Sequence, residues 1–289
     1  MRIGTHLIAS GDVSAEQLRA DAAAALELGT DSLWTNPQPG GWDPLTVLPA
    51  LPGGSEVGTA VVPTYPHHPV MLATQALTVQ ELTGGRLTLG VGPGHELVTT
   101  GWLGLPYVAP ARHTREYLEV LHPLLRGEHV RFSGEFFTVD TQITVRAKPP
   151  SVLLAAMGPR MLEVARDLAD GTIAAWTRPE TVESHFVPRL GDGARVLVMA
   201  MVSVTSDPDA VRERVARKFG MAGELPAYRA MLDRGGLSGP ADSLLVGDES
   251  VVLRGIRQYR DAGTTDLILS VPESPEERNR ALEVIKSGI

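Results

Sequence analysis

Cysteine is absent from the 289-residue sequence, which excludes disulfides, thiolate catalysis, iron–sulfur clusters and cysteine-based zinc sites. Basic excess is absent too: the net charge of -8 argues against an extended phosphate-binding surface and hence against a nucleic-acid partner. No segment approaches the ~18 uninterrupted apolar residues of a membrane span. The N-terminal run Met1 to Leu7 enters a strand-like pattern with no long apolar signal core. A soluble, cytoplasmic protein is therefore expected. What remains is ordinary globular material, 43% hydrophobic and 21% charged, with nothing to suggest disorder.

Apolar runs of strand length alternate with helical patterns along the whole chain. Strands are expected at 3–9, 31–34, 57–62, 86–91, 152–156, 172–176, 195–204 and 266–271. Ser14 is placed to cap a helix that runs to Leu28 and stops at Gly29. Further helices are expected at 44–50, 68–82, 114–125, 159–168, 181–190, 249–262 and 275–286. A long helical stretch over 209–233 is expected to break near Gly220 to Gly223. Eight buried-type strands with interposed helices fit an α/β architecture, a (β/α)8 TIM barrel, better than a doubly wound sheet. No linker or repeat is visible, so residues 1–289 read as a single domain. Alternation pauses after the fourth strand, where 94–150 forms an insertion with a loop, a helix and a small β excursion around Gly134.

Several familiar chemistries fail on spacing. Gly90-Val91-Gly92-Pro93-Gly94 invites a dinucleotide loop, but His95 stands where the third glycine of that fingerprint belongs. His95-Glu96 begins like a zinc-protease motif, but Thr99 replaces the second histidine. His67-His68 is adjacent rather than a helical turn apart, and no metal site is expected. No G-x-S-x-G elbow is present. Two strand ends stay open to two readings. Met157-Gly158-Pro159-Arg160-Met161 is either an ordinary turn or a phosphate-binding helix start, with Gly158 letting a ligand approach and free amides at Arg160 and Met161. Trp176-Thr177-Arg178 is either core or an aromatic wall beside a ligand.

The most informative stretch is one β-α-β unit: Thr59-Ala60-Val61, His67-His68-Pro69, Leu82-Thr83-Gly84-Gly85-Arg86 and Leu89-Gly90-Val91-Gly92-Pro93-Gly94. With Gly127-Glu128, Gly134-Glu135-Phe136-Phe137 and Ala155-Ala156-Met157-Gly158-Pro159-Arg160-Met161, it resembles the bacterial-luciferase-like family, and within it the oxidoreductases dependent on the deazaflavin coenzyme F420. The resemblance implies a TIM-type barrel carrying a reduced flavin or deazaflavin across its strand ends. It also implies a non-proline cis peptide in the third strand, here at Ala60-Val61, forming a bulge behind the ring. Gly92, Gly94 and His95 would run along the ring or its side chain, Gly158, Pro159 and Arg160 would hold the phosphate, and Trp176 would contribute a wall. His6, His95 and Glu96 are the candidates for catalytic proton transfer. One departure stands out. Many deazaflavin enzymes of this kind carry an acidic residue followed by histidine after the second strand, whereas this chain has Trp34-Thr35-Asn36-Pro37-Gln38. The implied function is hydride transfer between coenzyme F420 and a small organic substrate. The alternatives are an FMN-dependent monooxygenase using reduced flavin and oxygen, and a barrel that binds cofactor without turnover. A homodimer is a further expectation from the family.

Overall fold

The computed structural model describes residues 1–38, 40–270 and 275–288. Eight parallel strands close on themselves: β1 (Arg2–His6), β2 (Ser32–Thr35), β3 (Glu56–Thr59), β4 (Leu87–Gly92), β5 (Ser151–Leu154), β6 (Gly171–Ala175), β7 (Arg195–Val204) and β8 (Asp266–Ser270). Each pairs with the next, and β8 returns to β1. This is the (β/α)8 barrel expected from the alternation. The last residue of the expected eighth strand, Val271, lies outside the described residues.

The helices α1 (Ala15–Glu27), α2 (Pro69–Leu82), α3 (Pro110–Leu125), α4 (Pro159–Leu168), α5 (Pro208–Gly223), α6 (Pro226–Arg234), α7 (Glu249–Asp261) and α8 (Pro275–Gly288) account for most of the outer layer. Their starts follow local chemistry. The Ser14 hydroxyl accepts from the Gln17 amide at 3.0 Å, the Asp248 carboxylate from the Val251 amide at 2.9 Å, and proline fills the first turn of α2 to α6. Gly84 and Gly85, at φ +67° and +83°, turn the chain from α2 back into β4 in a conformation that costs other residues energy.

Side chains alternate across each strand, so the ladder register sorts the barrel interior into three layers. At the N-terminal end the layer is charged. Arg195 donates to Asp266 at 2.7 Å, to Glu56 at 3.0 Å and to the Thr88 hydroxyl at 3.3 Å, and Arg2 pairs with Glu56 as well. The middle layer is apolar: Trp34, Leu153, Ile173, Leu197 and Ile268 pack as one cluster. The Trp34 ring fits because its neighbours are glycine. A Cβ on Gly58 would lie 2.3 Å from the ring, and one on Gly4 3.1 Å from it. Taking a ring of ~200 Å² out of water contributes about 5 kcal/mol as an upper bound. The layer at the C-terminal mouth contains His6, Asn36, Ala60, Gly92, Ala155 and Ser270 by the same alternation. It is polar at β1, β2 and β8 and small at β3 to β5, with Met199 of β7 filling part of the remainder.

Several elements sharpen or depart from expectation. The third strand is interrupted: β3 ends at Thr59, and Val62–Pro63 resumes pairing with Val91 and Gly92 after the bulge. The insertion is more ordered than its sequence suggests, with a π-helical turn over Leu97–Trp102 and α3 beginning at Pro110, four residues early, because proline suits a first helical position. The expected β excursion is an antiparallel hairpin of Val130–Ser133 with Thr138–Thr141, fastened to α3 by the Glu116 carboxylate, which accepts from the Glu135 and Phe136 amides. The long helical region breaks at Glu224 and Leu225, after rather than at its glycines. A short strand, Leu245–Gly247, pairs with the part of β7 that outruns β8.

Candidate active site

A cavity of about 280 Å³ opens at the C-terminal mouth over β3, β4 and β5, at the small end of the ~300–1,000 Å³ typical of ligand pockets. Val61, Ala155 and Met157 line its barrel side, Pro93, Gly94 and His95 one rim, and Tyr228, Met231 and Arg234 of α6 the opposite rim. A larger depression of about 960 Å³ lies at the opposite, N-terminal end beside Glu56 and Arg195. The strand-end loops that carry chemistry in such barrels do not reach it, so the smaller cavity is the candidate site.

The floor is built from backbone that only small residues permit. The Ala60-Val61 peptide is cis. Thr59 clamps this turn to β4: its hydroxyl donates to the Gly90 carbonyl at 2.8 Å and lies 2.9 Å from the Gly90 amide. A Cβ at Gly92 would stand 2.8 Å from the Ala155 Cβ and 3.0 Å from the Val61 Cγ2. Gly92 is buried against these two side chains, so the floor closes tightly and only glycine fits at this position. Gly94, at φ +70°, turns the chain up into the rim, where its carbonyl accepts from the Tyr107 hydroxyl at 3.3 Å.

The walls are aromatic. The His95 ring lies 4.7 Å from Tyr228, which packs 4.1 Å from Trp176, and Phe219 backs Trp176 at 6.2 Å. Trp176 has φ +52°, a left-handed conformation uncommon for a bulky residue, taken where the chain leaves β6 to reach this wall. Burial holds His95 below its ordinary pKa, so its imidazole is neutral at pH 7 and serves as a hydrogen-bonding group in the cavity. Burial raises Tyr228 and Tyr107 above the usual phenol range, keeping both hydroxyls protonated.

The α4 terminus closes one end. Gly158 is its N-cap, in an extended conformation with no atom within 4 Å of where a Cβ would sit. The Leu162 amide is the first to bond back, to the Gly158 carbonyl, which leaves the Arg160 and Met161 amides free beside the cavity. Arg160 is exposed with no ion-pair partner among the described residues. Behind the loop, the His185 Nε2 lies 2.7 Å from the Met157 carbonyl.

Of the residues singled out from sequence, Val61, Gly94, His95 and Gly158 line this cavity, Gly92 and Trp176 contact residues that line it, and Ala60 and the exposed Pro159 are chain neighbours of lining residues. Arg160 is on its outer edge. Glu96 is exposed and does not line it, although its charge helps raise the Tyr107 pKa. His6 is nearly buried in the mouth layer, with Nε2 2.8 Å from the Asn36 Oδ1 and Nδ1 3.2 Å from the Ser270 hydroxyl. Sequence reasoning missed the α6 contribution of Tyr228, Met231 and Arg234, and Tyr107 in the insertion. Among the described residues no group of acidic residues and histidines has metal-binding geometry.

The family model of luciferase-like monooxygenases matches residues 1–266. The chain belongs to this family. It is 28% identical over 288 residues to 5,10-methylenetetrahydromethanopterin reductase of Archaeoglobus fulgidus, covering 85% of each chain. It is 27% identical over 258 residues to an F420-dependent glucose-6-phosphate dehydrogenase of Nakamurella multipartita, covering 78% of this chain and 74% of that one. Its fold superposes on an F420-dependent secondary alcohol dehydrogenase in complex with an F420-acetone adduct, with a TM-score of 0.79 at 19% identity over 100% of this chain and 98% of that one. The family member is thus a barrel whose relatives include named reductases and dehydrogenases.

Proposed function

We propose that this luciferase-like protein is an oxidoreductase that moves a hydride between coenzyme F420 and a small organic molecule, in one domain spanning residues 1–289. The observation carrying the reading is the cavity floor at Val61 and Ala155, made of short side chains and backed by a Gly92 so closely packed that no Cβ fits there. A flat heteroaromatic ring suits such a surface, and the aromatic and methionine walls suit its edges. Relatives named for F420 dependence favour the deazaflavin over FMN.

The bound deazaflavin would supply the hydride chemistry, and the protein supplies placement. Val61 and Ala155, which line the cavity floor, would support one ring face and leave the other to substrate. The free amides at Arg160 and Met161, with the helix dipole, favour an anionic tail at the α4 start, and Arg234, which lines the same cavity, adds positive charge. Met157, Met161 and Tyr228 give the cavity apolar walls, and neutral His95 offers a hydrogen bond without a fixed charge. Among the described residues no helix is long and apolar enough to cross a membrane.

Fluorescence titration of the purified protein tests the reading. Quenching of F420 emission at micromolar concentration, with FMN ignored, is the expected result. Preference for FMN would replace the reading with a flavin monooxygenase, and binding of neither would remove the cofactor altogether.

A further inference from the structure

The position after β2 that holds neither acid nor histidine is nevertheless wired into the mouth. Asn36 Oδ1 lies 2.8 Å from His6 Nε2 and accepts from Gln38 Nε2 at 2.8 Å. An oxygen facing two nitrogens accepts from both, so His6 carries its proton on Nε2. Its Nδ1 then accepts from the Ser270 hydroxyl at 3.2 Å. Both imidazole nitrogens are thereby committed to the protein. The Asn36 Nδ2 group has no partner among the described residues, and Asn36 is half-buried in the layer that faces the open mouth.

We propose that His6 is a positioning residue that locks the Asn36 amide with its N–H directed at the acceptor atom of the substrate, a carbonyl or imine recognised by a neutral donor. The proposal rests on the oxidoreductase reading. The acceptor carbon gains a hydride from the reduced cofactor, which is oxidised by two electrons. The π pair moves onto oxygen or nitrogen, the Asn36 N–H stabilises the charge developing there, and solvent water supplies the neutralising proton. No side chain of the chain Ser270–His6–Asn36–Gln38 changes protonation state. The groups meeting His6 from β8 and from the segment after β2, Ser270 and Asn36, do not ionise, and no charged side chain contributes to its acidity. Burial disfavours its imidazolium, in keeping with a fixed neutral ring.

Long-range ¹H–¹⁵N correlation spectra of the histidine-labelled full chain test this, with His6 assigned by loss of its signals in His6→Gln. The expected spectrum is the Nε2–H tautomer, still neutral at pH 6. An Nδ1–H tautomer, or a His6 that titrates at its ordinary value, overturns the proposal whatever the cofactor. In Asn36→Asp the carboxylate faces Nε2, and His6 is expected to become a titrating imidazolium with its midpoint raised; an unshifted midpoint shows the two residues are uncoupled and also overturns it. Cyclohexanone added to the F420-loaded protein is expected to move the Asn36 side-chain amide signals. Unmoved signals refute the donor role while leaving cofactor binding, read separately by fluorescence quenching, intact. Failure of that quenching refutes the oxidoreductase reading itself, and the proposal with it.

Discussion

Gly158→Asp separates the two things a helix start can do. The position is open, with no atom within 4 Å of a built Cβ, and its extended backbone is that of an N-cap. Aspartate there has room, and as a cap it accepts from the free amides of the first turn, a gain of about a few tenths of a kcal/mol over glycine. Folding stability should therefore hold or rise slightly. Cofactor binding should move the other way, because the carboxylate occupies the amides that would receive a phosphate and repels it. Two unit charges ~5 Å apart repel by about 1 kcal/mol in water and about 3 kcal/mol at an effective dielectric of 20. Gly158 is exposed, so screening holds the loss near the lower figure, a weakening of roughly five-fold. Fluorescence titration against F420 at low and high salt measures it, with Gly158→Asn as the uncharged control. Unchanged affinity in the aspartate variant would remove the anion site from the α4 start. An equal loss in both variants would show that bulk, not charge, was responsible.

Other perturbations reach the remaining layers. Gly58→Ala sets a methyl 2.3 Å from the Trp34 ring and should cost at least ~3 kcal/mol in urea unfolding, since ring and barrel leave each other no slack; a loss below ~1 kcal/mol would mean the ring is free to move. Arg195→Met leaves Asp266, whose side chain is 2% exposed, only the Thr265 hydroxyl and the more distant Arg2 at 3.5 Å, and should destabilise by ~2 kcal/mol with F420 affinity unchanged; a coupled loss of affinity would join the two ends of the barrel. His113 stacks on Tyr65 at 4.0 Å, and burial lowers its pKa from 6.5 to about 4. The unfolded chain takes up a proton below pH 6.5 that the folded ring refuses, so stability falls as pH drops from ~6.5 to ~4, by up to about 3 kcal/mol from this residue. His113→Phe should flatten that part of the acid limb, and an unaltered slope in urea midpoints between pH 7 and pH 4.5 would contradict the assignment.

The barrel was legible because its strands are largely apolar and separated by helices with ordinary caps, and the glycine-rich end of β4 pointed to the candidate site from the sequence alone. The cis Ala60-Val61 linkage came from family resemblance, since nothing in an Ala-Val pair announces it. The far wall was hidden for a different reason. Tyr228, Met231 and Arg234 sit on α6, whose sequence reads as a plain amphipathic helix, and only folding turns that surface toward residues more than a hundred positions earlier. His95 and Glu96 were indistinguishable as adjacent letters; one faces the cavity and the other solvent because the chain turns upward at Gly94. Leu245–Gly247 escaped notice because its partner is the overhang of β7, a length mismatch that no local pattern encodes.

Trp34 and the glycines around it bear on how this protein can change over generations. An indole fitted against bare backbone on two other strands fixes several positions jointly, so replacing any one of them alone leaves either a hole or a collision. Drift at mid-barrel must come as matched sets of substitutions. New chemistries would accordingly be acquired at the rim, above an interior locked by a single oversized residue.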